Sequence, residues 1–67
     1  MRSVVILTYP DRDGAEELAG ILRDLGVGAA AMPTEDRHMD GGMVWEVRVP
    51  DDQAAPVRAL VEAARNA

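Results

Sequence analysis

His38 is the one histidine of the chain, and three carboxylates, Glu35, Asp36 and Asp40, stand close to it in sequence. An imidazole with carboxylate oxygens is a donor set for a divalent cation. The surroundings weaken that reading. Pro33 to Gly42 is a polar stretch that ends in the turn signal Asp40-Gly41-Gly42. Adjacent loop carboxylates without a fixed scaffold make poor metal sites. Glu35, Asp36, His38 and Asp40 are therefore weak metal candidates, and the expectation is a solvated loop and no cofactor. Hydrolytic chemistry would need a nucleophile, a base and an orienting acid. Ser3 and Thr8 belong to a strand rather than to a nucleophile turn, and His38 would have to act from the loop. A pocket that excludes water needs more chain than 67 residues. The chain is read as non-enzymatic. Asp11-Arg12-Asp13-Gly14 opens a helix, where phosphates often bind, but it lacks the glycine fingerprint and brings carboxylates of its own.

The elements that would position these groups follow from punctuation and periodicity. Ser3 to Tyr9, Ser-Val-Val-Ile-Leu-Thr-Tyr, reads as a strand with two apolar faces, closed by Tyr9-Pro10-Asp11. Asp13 suits a helix N-cap, with Glu16 completing a capping box. Ala15, Leu18, Ile21, Leu22 and Leu25 form one apolar stripe at helical spacing. Gly26 can end that helix in the left-handed conformation, with Val27 folding back on Leu22 as in a Schellman motif. Val27 to Met32 is the expected second strand, although Ala29-Ala30-Ala31 is poor strand material. Met43 to Val49 is the third: Trp45, Val47 and Val49 alternate with Val44, Glu46 and Arg48. Trp45 is expected in the core. Pro50 stops the strand. Pro56 is tolerated only where helical amides lack partners, so the last helix should begin near Gln53, with Asp51-Asp52 as a lead-in. Its stripe is Val57, Leu60, Val61 and Ala64.

Composition bounds the rest. The length fits a single domain over residues 1–67. Domains this small bury only about 60% of their unfolded surface and are marginal unless stapled. There is no cysteine, so disulfides, thiolate metal sites and thiol nucleophiles are excluded. Oligomerisation is the staple that remains. A net charge of −5 argues against a nucleic-acid partner. All seven cations are arginines, and alanine is abundant, which suggests a GC-rich bacterial source. The apolar run Val4–Leu7 is too short for a signal core or a membrane span, so the expected location is the cytoplasm, without a membrane.

The order β-α-β-β-α makes the first crossover right-handed and the hairpin antiparallel. The expected fold is α+β: a three-stranded, mostly antiparallel sheet in order 1-3-2, with two helices on one face. That is a ferredoxin-like fold without its final strand. Strand one then becomes an edge with an uncovered apolar face, and nothing in its middle blunts it. Val4, Ile6, Thr8, Val44, Glu46 and Arg48 are the expected interface of a homodimer.

Two resemblances bear on function. The strand-turn-helix around Thr8-Tyr9-Pro10 resembles the start of glutaredoxin-like proteins, without the cysteine pair that carries their chemistry. Ala15-Glu16-Glu17-Leu18-Ala19-Gly20-Ile21-Leu22-Arg23-Asp24-Leu25-Gly26-Val27 and Val47-Arg48-Val49-Pro50-Asp51-Asp52-Gln53-Ala54 resemble a small bacterial family of prokaryotic signal-transducing proteins. That resemblance implies a regulatory module without enzymatic residues. The leading expectation is a non-catalytic interaction or regulatory module that self-associates. The alternatives are a metabolite sensor of ACT-like layout and an acidic inhibitor of a basic protein partner.

Overall fold

The computed structural model describes residues 2–35 and 42–66. The elements are β1 (Ser3–Tyr9), α1 (Arg12–Asp24), β2 (Ala30–Glu35), β3 (Met43–Pro50), a 3-10 turn (Asp51–Gln53) and α2 (Ala54–Arg65). The sheet order is β1-β3-β2, and both outer strands run antiparallel to β3. The expected α+β fold and strand order are those observed.

One buried cluster joins the two layers. Val47 and Val49 supply it from β3, Ala15, Ala19 and Leu22 from α1, and Ala54 and Val57 from α2. Trp45 packs against it, half-buried, with the Arg12 guanidinium 5.8 Å from its ring centroid. α1 lies chiefly on β2 and β3, whereas α2 lies on β1. The line α1 buries is Ala15, Ala19 and Leu22, not the stripe that includes Ile21 and Leu25. Two alanines in that line let the helix approach the sheet closely. Ile21 and Leu25 are left 51% and 61% exposed.

Three local readings are corrected. The cap of α1 is Asp11, whose Oδ1 accepts from the Gly14 amide at 2.9 Å, and Asp13 sits in the first turn. The residue three past Asp11 is glycine, so no reciprocal capping box forms. Asp11→Ala should therefore cost about 1 kcal/mol. Asp13→Ala should cost less, on the order of 0.3–1 kcal/mol through the helix dipole alone. Urea melts of the two variants measure this, and a larger loss for Asp13→Ala would move the cap back to Asp13.

The second correction is the position of β2, three residues later than expected. Val27 to Ala29 are engaged elsewhere. The Val27 amide donates to the Leu22 carbonyl at 2.9 Å and Gly26 donates to Arg23 at 3.0 Å, the Schellman pair the sequence suggests, with Gly26 at φ 89°. The Gly28 amide donates to Gln53 Oε1, and Arg23 Nε donates to the Ala29 carbonyl. With those groups committed, the ladder starts at Ala30. It runs through Pro33, which an edge strand tolerates.

The third correction concerns β1. Its register slips between Val5 and Leu7, leaving Ile6 without a partner on β3. This bulge blunts the middle of the strand, where the sequence shows no blunting device. The start of α2 agrees with expectation: a 3-10 lead-in at Asp51–Gln53, then regular helix from Ala54 with Pro56 inside its first turn.

Candidate interaction surfaces

The first surface is the sheet face turned away from the helices. Residues directly opposite on adjacent strands share a face. Arg48 stands opposite Val5 and Ala30, Glu46 opposite Thr8 and Met32, and Val44 opposite Thr34. These residues make up the open face. The bulge splits the expected β1 set. Val4 and Ile6 pack against the buried cluster with Tyr9, and only Thr8 reaches the open face. Before the slip, even-numbered residues of β1 point to the helices; after it, Tyr9 does. The apolar side chain β1 adds to the open face is Val5. Leu7 is half-buried and is not among the side chains packed on the cluster.

Glu46 and Arg48 are paired on this face. Arg48 Nε lies 3.3 Å from Glu46 Oε1, and Arg48 Nη1 donates to Ser3 Oγ at 2.9 Å. The two side chains are only 33% and 19% exposed, so the pair lies along the sheet rather than standing into solvent. Both charges sit on the central strand, bordered by Val5 and Met32.

The second surface was hidden in the helical stripes. Between α1 and α2 runs a cleft of about 510 Å³ lined by Leu18, Ile21, Leu22, Leu25, Leu60, Val61, Ala63 and Ala64. None of these side chains carries a polar atom. The cleft shares Leu25 and Leu60 with a second hollow of about 280 Å³ that reaches Gly26, Gln53 and Pro56. Ile21, Leu25 and Leu60 are three of the five large apolar side chains that are substantially exposed among the described residues. Sequence periodicity assigns them to the core. The signal that could have exposed them is the count of apolar positions in α1, which exceeds what one helix face buries.

The loop candidates for metal are mostly out of view. Glu35 ends β2 and is exposed, while Asp36, His38 and Asp40 lie outside the described residues. Among the described residues no three His, Cys, Asp or Glu side chains are grouped to hold a metal. At the start of α1 the Asp11 carboxylate already occupies the Gly14 amide, the group a phosphate would need. No helix among the described residues is long and apolar enough to cross a membrane.

No family model matches the chain, and no curated protein or solved structure matches it.

Proposed function

We propose that this domain is a non-catalytic interaction module that self-associates through its open sheet face. The observation that carries this reading is the Glu46–Arg48 pair on the central strand, framed by Val5, Met32 and Val44. A twofold dimer brings the same patch from both copies together, so a patch must complement itself. Opposite charges two residues apart on one strand meet that condition. Arg48 of one copy can face Glu46 of the other, while the flanking side chains supply apolar contact. The face is favoured over the β1 edge because the bulge disturbs that edge. The resemblance to signal-transducing proteins fits a regulatory module of this kind. A metabolite sensor has less support, since the helix cleft offers a small ligand no polar side chain to orient it.

Sedimentation velocity at rising concentration tests this. The expected result is a dimer for the wild-type protein. Arg48→Glu and Glu46→Arg each place like charges together and should dissociate it by at least about tenfold. The double swap, E46R with R48E, restores the pattern and should restore the dimer. A wild-type monomer up to high micromolar concentration, or a double swap no better than the single reversals, ends the reading.

A further inference from the structure

We propose that the cleft between α1 and α2 seats a basic amphipathic helix from another protein. The surface is separate from the open sheet face and lies on the opposite layer. Its floor and both inner walls are aliphatic: Leu18, Leu22 and Leu25 on one side, Leu60, Val61 and Ala64 on the other. A partner helix with apolar residues at i, i+3, i+4 and i+7 is the element whose stripe matches such a trough. A second hollow shares Leu25 and Leu60 with the cleft and reaches Pro56, which adds room for a further apolar anchor.

The charge of the partner follows from the rim. On α1, Glu17, Ile21 and Asp24 stand at i, i+4 and i+7, a line that borders the cleft just outside Leu18 and Leu25. Asp13 extends the same line by one turn toward the N-terminus. All three carboxylates are exposed. The arginines of α1 are on its other flank and already engaged: Arg12 with the Trp45 ring and Arg23 with the Ala29 carbonyl. On α2, Arg58, Glu62 and Arg65 form a separate line, and none of them lines the cleft. The trough is therefore apolar and lined by no charged side chain, with the acidic line of α1 just outside it and the arginines of α2 on the far flank. Its complement is a helix whose apolar stripe is flanked by arginine or lysine.

A second copy of this chain fits that description poorly. Its α1 brings the same acidic line, and on its α2 the exposed Leu60 and Ala64 are bordered by Pro56, Ala59 and Ala63, with Arg58 and Arg65 on the opposite flank beside Val61.

The test uses the full chain and two synthetic peptides. Both carry leucines at i, i+3, i+4 and i+7; one flanks the stripe with arginines, the other with glutamates. Fluorescence anisotropy should show saturable binding of the arginine peptide that weakens as salt rises, and none of the glutamate peptide. Glu17→Arg with Asp24→Arg should weaken the arginine peptide by at least about tenfold and admit the glutamate peptide. Leu60→Ser, at a position 47% exposed, should abolish binding while circular dichroism stays unchanged. Equal binding of both peptides, no binding of either, or indifference to the rim reversal overturns the proposal. So does a Leu25→Glu variant that loses self-association, because the cleft would then be occupied by a second copy.

Discussion

Leu22→Ala is expected to bring this domain to the limit of folding. Leu22 is fully buried and, with Val47 and Val49, is one of the largest side chains completely removed from solvent. A Leu→Ala change in a core costs about 2–5 kcal/mol, because the vacated space collapses only partly. Domains have on the order of 0.05–0.15 kcal/mol per residue of net stability, so a chain of 67 residues holds only roughly 3–10 kcal/mol. The buried neighbours are mostly alanine and valine, and small β-branched or methyl side chains have little reach to refill a gap. Thermal melts should show a drop of at least about 8 °C, or no cooperative transition at all. The control is Ile21→Ala, one residue away and 51% exposed, which should lose about 1 kcal/mol or less. Equal losses at both positions would mean that α1 is rotated to bury Ile21, and the cleft would disappear with that rotation.

Two glycines of α1 should respond to alanine with opposite signs. In a helix interior, alanine is favoured over glycine by about 1 kcal/mol. At Gly20 nothing lies within 4 Å of an added Cβ, so Gly20→Ala should stabilise by roughly 0.5–1 kcal/mol. At Gly14 an added Cβ would stand 2.8 Å from Tyr9 Cδ1 and 3.3 Å from Asp11 Oδ1. The Tyr9 ring is packed against the buried cluster and cannot swing aside freely, and the Asp11 oxygen is the cap itself. Overpacking of this kind costs about 1–3 kcal/mol, enough to reverse the helix preference. Chemical denaturation of the two variants side by side gives the answer. A Gly14→Ala variant as stable as Gly20→Ala would show that Tyr9 does not hold its place over the first turn.

The fold could be read from punctuation, because each element here is bounded by residues with one physical meaning. Tyr9-Pro10, Gly26 and Pro50 each stop an element, and Pro56 dictates where α2 can start. What sequence could not decide were choices between near-equivalents. Asp13, with Glu16 three residues on, has the sequence signature of an N-cap, yet the chain leaving β1 turns into the helix two residues earlier and makes Asp11 the cap. Val27 to Ala29 carry no mark that their backbone groups serve the helix exit and Gln53 rather than a ladder. The bulge at Ile6 is invisible for a related reason. A strand apolar on both faces has no alternation, so a change of parity leaves no trace in it. The open-face set was therefore only partly read: Val44, Glu46, Arg48 and Thr8 lie there, whereas Val4 and Ile6 do not. The helix cleft was missed because leucine and isoleucine at helical spacing look the same in a core and at its margin. Only packing shows that the alanines of α1 take the core.

The two outer strands bear on how the protein behaves when concentrated. An exposed strand is a template on which further chains can add, and uninterrupted addition is the route to fibrils. Here β2 presents Pro33, which has no amide to offer, and β1 is kinked at Ile6. A growing stack would meet a missing donor on one side and a broken repeat on the other. Extension along the hydrogen-bond direction is therefore disfavoured on both sides of the sheet.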